Sequence, residues 1–131
     1  MADEELQKKF ITKYRFGKDR TKPGRLLETS RVGGVCVSRL FIDPGVVTGN
    51  YYHKETRCAL FVEYGRVRVK FKQVNTGEEK EFDMEPGSGV VHVPEYVAIA
   101  NKNIAFDPAV VILLTNRPLR SGDDYEYIIL E

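Results

Sequence analysis

The sequence is short of several features that would place it at once. It has two cysteines and two histidines in 131 residues. Cys36 and Cys58 both lie in apolar, strand-like runs, where they read as buried free thiols. Twenty basic residues against nineteen acidic ones leave a formal net charge of +1, so no global field draws the chain to nucleic acid or to a membrane surface. No apolar run approaches the ~20 residues that a membrane helix needs. The opening "MADEELQKKF" is polar and lacks the apolar stretch of a secretory signal. There is no low-complexity linker, no shift in composition, and no repeat with a period of about 20–50 residues, which excludes a solenoid or a propeller. Together these features lead to the expectation of one cytoplasmic domain, long enough to bury a sizeable core.

The residues that are present point to strands. "DEELQKKFITKY" is compatible with a short helix or with an extended arm carrying Phe10, Ile11 and Tyr14. "RFGKDRTKPGRLLE", with Gly17, Pro23 and Gly24, reads as a basic loop or irregular hairpin. Beyond it, "VCVSRLFI" (35–42), "CALFVEYG" and "RVRVKFKQV" are rich in β-branched and aromatic residues. Val67, Val69 and Phe71 alternate with Arg66, Arg68, Lys70 and Lys72, a period of two with one face buried and one solvated. "NTGEE" and "PGSG" carry turn chemistry, and "KEFDM", "VVHVP", "YVAIA", "AVVILLT" and "YEYIIL" complete the pattern. Eight or so short strands at this spacing predict an all-β sandwich or barrel. The basic stripe on 66–72 is expected to be a solvated face offset by Glu78, Glu79 and Glu81, not a nucleic-acid surface.

The stretch "GVVTGNYYHKETRCALFVEYG" (45–65) concentrates the chemistry. Residues two apart on a strand share a face, so Tyr51 and His53 are expected to point the same way and Tyr52 the other. If His53 and Cys58 both face inward, they meet inside the barrel. Histidine has an unperturbed pKa of about 6.5, which suits it to act as a base near neutral pH.

In spacing this stretch resembles the first motif of the cupins, G-x5-H-x-H-x4-E-x6-G. Gly45, Tyr51, His53, Cys58 and Gly65 stand at the motif positions. Pro94 and Asn103 fall in place in the second motif, with Ile99 where a histidine is usual. The resemblance implies one cupin-type double-stranded β-helix, a jelly-roll barrel, over 1–131: an N-terminal arm and basic loop (1–34), a barrel core (35–116) and a C-terminal strand (117–131). The usual ligand quartet would be Tyr51, His53, Cys58 and Ile99. Ile99 cannot ligate, and His53 with Cys58 leaves a divalent ion two ligands short. No metal and no other cofactor is therefore expected.

Within the cupins, "TGNYYHK" (48–54), the later "VVILLTNRPLRSGDDYEY" and, loosely, "KDRTKPGRLLE" are similar to the dTDP-4-keto-6-deoxyhexose 3,4-ketoisomerases. That resemblance implies a metal-independent isomerase or epimerase of a nucleotide-linked 4-keto sugar, and a homodimer with exchanged N-terminal strands. It implies His53 as base and Tyr51 as acid. Arg39, with Arg20 or Arg25, would bind diphosphate through paired guanidinium donors, and Asn50 and Cys58 would complete the substrate-binding set. Two other readings stay open at this point. One is a cupin that binds a sugar, sugar nucleotide or other small anion without catalysis. The other is a metal-dependent cupin with an unusual ligand set drawn from His53, Cys58 and His92.

Overall fold

Strict alternation builds this molecule. In β3 (Val35–Ile42), Cys36, Ser38, Leu40 and Ile42 are buried, while Val37, Arg39 and Phe41 are half-buried on the opposite face. The same alternation runs along β5 (Cys58–Tyr64), which buries Cys58, Leu60 and Val62, and along β6 (Val67–Gln73), which buries Val67, Val69 and Phe71. A pleated strand with one buried row needs a second sheet to cover that row, and the chain supplies two. The computed structural model describes residues 10–131, and every regular element among them is a β-strand. The others are β1 (Gly17–Asp19), β2 (Arg25–Val32), β4 (Val47–Tyr52), β7 (Glu79–Met84), β8 (Val91–Val93), β9 (Val97–Asn103), β10 (Ala109–Thr115) and β11 (Tyr125–Glu126). One antiparallel sheet runs β1-β2-β3-β10-β5-β8 and the other β11-β4-β9-β6-β7. Leu27, Leu40, Ile42, Leu60, Val62, Val67, Val69, Val111 and Leu113 from the two inner faces form one core. No helix among the described residues is long and apolar enough to cross a membrane.

Two expected boundaries move. The basic stretch expected as a loop or irregular hairpin is a hairpin, β1 against β2, and it belongs to the larger sheet, because Leu27 enters the core opposite Leu40 and the whole of β2 pairs with β3. Residues 3–9 of the suggested helix or arm lie outside the described residues, and 11–16 form no regular element. At the other end, only Tyr125 and Glu126 pair as a strand, with Tyr52 and Tyr51. Much of the rest of 117–131 is fastened by side chains, chiefly Asn50 and Asp123, instead of a ladder. The basic stripe is a salt ladder: Arg66 and Arg68 pair with Asp83, and Lys70 with Glu79.

The ladder between β4 and β9 carries a bulge. Between Gly49 and Tyr51 the register of β4 on β9 shifts, with Gly49 and Asn50 both at positive φ (94° and 61°). This bulge lets Thr48 and Tyr51, three residues apart, both face the interior, opposite Asn101 and Ile99. A Cβ on residue 49 would stand 2.6 Å from the Ile99 carbonyl oxygen. Gly49→Ala is expected to cost about 2 kcal/mol, from backbone strain together with that clash. Urea unfolding of the variant measures it.

Candidate functional site

The bulge aims Tyr51 into the interior, where it packs against the core, and β4 ends one residue later. His53 follows, buried, its ring centroid 4.9 Å from that of Tyr51 with a tilt of 54°. The imidazole is held from the far end of the chain. Its Nδ1 lies 2.8 Å from the Asp123 carbonyl oxygen and 3.2 Å from Asp124 Oδ1. A carbonyl only accepts, so Nδ1 carries the proton and Nε2 is left with its lone pair. Burial opposes charge on this ring. The hydrogen bonds to Asp124 and Asp123 and the charges of both carboxylates outweigh it, so the His53 pKa is raised above 6.5. Tyr51 is driven the other way in function: burial first, then the Asp124 charge and Cys58, push its pKa well above the phenol range, so it stays protonated. Burial likewise pushes the Cys58 thiol up to about 12, which leaves it an unreactive, inward-facing wall.

Asp123 makes this arrangement rigid. Its carboxylate accepts from Thr56 Oγ1 (2.8 Å), the Glu55 N–H (2.9 Å) and the Lys54 N–H (3.2 Å). Burial raises its pKa, but these three donors prevail and the net shift is downward. Asn50 performs a parallel task. Its Oδ1 accepts from the Ile129 and Leu130 N–H groups, and its Nδ2 donates to the Leu130 carbonyl. The amide expected to touch substrate is spent on the C-terminal tail. Asn50→Ala should cost about 1–2 kcal/mol, and hydrogen exchange should speed up at Ile129 and Leu130 while the central strands stay protected.

Four cations, Arg20, Lys22, Arg25 and Arg120, line two neighbouring spaces, one of which Tyr51 also lines. Lys22 and Arg120 line a narrow interior cavity of about 20 Å³ together with Tyr51, Thr48, Asp124 and Leu119, room for about one water molecule. Outside it, Arg20, Lys22 and Arg25 line an open groove of about 440 Å³ with Phe41, Asp43 and Pro108. Lys22 is common to both spaces. Arg120 is ion-paired with Asp19, whereas the buried Nε of Arg25 has no hydrogen-bond partner among the described residues. Burial, then the neighbouring cations, lower the pKa values of Lys22 and Arg25.

Arg39 is placed elsewhere. Odd positions of β3 face outward, and its guanidinium sits on the outer face between Glu28 (3.6 Å) and Glu63 (3.7 Å), over the Phe41 ring. The structure therefore brings together Tyr51, His53 and Cys58, sets Arg20 and Arg25 in the adjoining groove, and leaves Arg39 and Asn50 out of the site.

No family model and no curated protein matches the sequence. Solved structures do. The capsular polysaccharide assembling protein CapF from Staphylococcus aureus superposes with a TM-score of 0.78 at 20% identity, over 89% of this chain and 34% of CapF. The oxalate decarboxylase of Lactobacillus farciminis, in its formate complex, superposes at 0.72 and 13% identity, over 85% of this chain and 33% of that one. The fold is a cupin jelly roll. An oxalate oxidase matches at 0.65 and 16% identity, over 75% of this chain and 54% of its own. The chain thus spans about a third of CapF and of the decarboxylase.

Set on the cupin frame, the four positions that commonly hold a metal carry Tyr51, His53, Cys58 and Ile99. They do not fit one. Ile99 has no donor, burial favours the protonated forms of Tyr51 and Cys58, and His53 offers Nε2 alone, too few ligands for a divalent ion. His92 cannot complete the set, since it pairs in register with Ala59 on the outer face of β5. Among the described residues, no three His, Cys, Asp or Glu side chains are grouped as a metal site. The residues that sequence reasoning missed are Lys22, Thr48, Arg120, Asp123 and Asp124. The signal for the last two is the "DDY" segment, whose adjacent carboxylates are visible in the sequence while their partner His53 is not.

Proposed function

We propose that this cupin is a metal-independent isomerase or epimerase of a nucleotide-linked 4-keto sugar. The observation that carries the reading is a buried His53, anchored through Nδ1 on Asp123 and Asp124, beside a Tyr51 phenol that keeps its proton. Nε2 of His53 removes the proton from the carbon next to the ketone. The C–H electrons form the carbon–carbon double bond of an enediolate, and Tyr51 gives its proton to the former carbonyl oxygen. The phenolate then recovers a proton from the neighbouring hydroxyl while the imidazolium returns its own to carbon, so the ketone moves by one carbon with no net change of atoms or electrons. In an epimerase the same carbon instead takes a proton from solvent on its opposite face, Tyr51 recovers its own, and the imidazolium releases its proton to solvent. Arg20, Lys22 and Arg25 hold the diphosphate in the outer groove, and Lys22 borders both that groove and the cavity at Tyr51. Likeness to a capsular polysaccharide assembling protein supports a carbohydrate substrate, and the resemblance of "TGNYYHK" supports a homodimer as the working form. In D₂O with dTDP-4-keto-6-deoxyglucose, deuterium should enter the carbon beside the ketone. No uptake over a panel of nucleotide-linked keto sugars sinks the reading.

The 20 Å³ interior favours a second reading, a cupin that holds the anionic end of such a ligand in the groove without turning it over. A rise in Tm with dTDP-sugar and no deuterium uptake would select it.

A further inference from the structure

The outer face of the smaller sheet carries a cluster that the interior chemistry does not use. Four of the chain's seven tyrosines meet there. Tyr52 is central. Its ring lies near-parallel to that of Tyr125 (5.5 Å, 28°) and to that of Tyr96 (6.0 Å, 30°), and Tyr127 meets it edge-on at 6.0 Å. Lys54 Nζ stands 4.3 Å from the Tyr125 ring centroid, and Lys72 Nζ 5.6 Å from that of Tyr127. Tyr96 and Tyr125 are exposed. Tyr96 also sits at φ 64°, an unusual place for an aromatic residue. The Tyr96 N–H on the His53 carbonyl and the Val74 N–H on the Tyr96 carbonyl fix it there. Neither lysine has an ion pair among the described residues, whereas Arg66, Arg68 and Lys70 farther along the same sheet are paired with carboxylates.

We propose that the Tyr96–Tyr52–Tyr125 row, with Lys54 and Lys72, is a binding platform for an acidic oligosaccharide, separate from the barrel interior. A pyranose has an apolar C–H face and a polar rim, and a tyrosine offers the complement, a flat apolar ring with a hydroxyl at its tip. Tyr96 and Tyr125 flank Tyr52 on its two sides and are exposed, so each offers apolar ring surface to a sugar residue. The two ammonium groups suit carboxylates on such a chain. A nucleic acid strand also stacks on aromatic rows. A site for such a strand tracks its backbone with a groove of cations, whereas the two lysines here lie against the rings of Tyr125 and Tyr127.

With no tryptophan in the chain, tyrosine emission follows the platform, which holds four of the seven tyrosines. The probes are tetragalacturonate, neutral cellotetraose and oligo(dT). Tetragalacturonate should change the emission saturably and bind more tightly than cellotetraose. Affinity should fall about tenfold in Tyr125→Ala, on the short edge strand, and in Tyr52→Ala. Lys54→Gln combined with Lys72→Gln should remove the preference for the acidic sugar. Circular dichroism identifies any variant that fails to fold, and Tyr96→Ala then takes its place. Absence of sugar binding, binding that the folded variants leave unchanged, or tighter binding of oligo(dT) than of tetragalacturonate overturns the proposal.

Discussion

In the His53→Asn variant, deuterium should enter a nucleotide-linked 4-keto sugar on the order of 10²–10⁴ times more slowly than in the parent protein, the usual contribution of a positioned base. Asparagine keeps a donor near the Asp123 carbonyl and most of the volume, so the barrel should survive, but it has no lone pair able to accept a carbon-bound proton. The pH profile adds a second readout. The free base exists above the His53 pKa, which lies above 6.5, so exchange should rise with pH through that value. Asp124→Asn removes the carboxylate that raises it, and the rising limb should move to lower pH. A merely structural histidine would leave the position of that limb unaffected by Asp124.

Asp123→Ala should cost about 3 kcal/mol, because three donors from 54–56 lose a charged acceptor in a part-buried loop. The corresponding fall in Tm is on the order of 10 °C. The acid limb of stability checks the assignment. The Asp123 pKa is lower folded than the ordinary 3.8, so its contribution is present above about pH 4 and is lost as pH falls through the folded value. The variant should lack that part of the acid limb. His53 acts in the opposite sense. Its folded pKa is raised, so its contribution is complete below about pH 6.5 and is lost as pH rises through the folded value.

The strands are legible wherever one face is buried. "RVRVKFKQV" and "CALFVEYG" alternate cleanly, and β6 and β5 form there. "AVVILLT" is legible as a strand from its β-branched residues alone. In "VCVSRLFI", apolar residues on both faces hide the phase, so nothing local shows that Arg39 points away from the site. β2 is masked by the Pro-Gly turn beside it, since "RLLE" is too short to display a period. The pairing of Tyr51 with His53 follows from strand geometry. Their anchoring does not, because Asp123 and Asp124 reach His53 across a separation of about 70 residues that leaves no local trace. The tail reads as a strand because "YEYIIL" alternates like one, whereas Asn50 captures its backbone by side-chain bonds.

The long reach of that strap has a consequence for biosynthesis. A ribosome makes the chain from the N-terminus, so His53 and the loop 54–56 are synthesised about 70 residues before the carboxylates that hold them. Until those carboxylates emerge, His53 has no carboxylate neighbour from the tail and the loop 54–56 has no acceptor. The barrel strands are therefore made before the residues that anchor His53, and a chain that stalls short of Asp123 lacks that anchor.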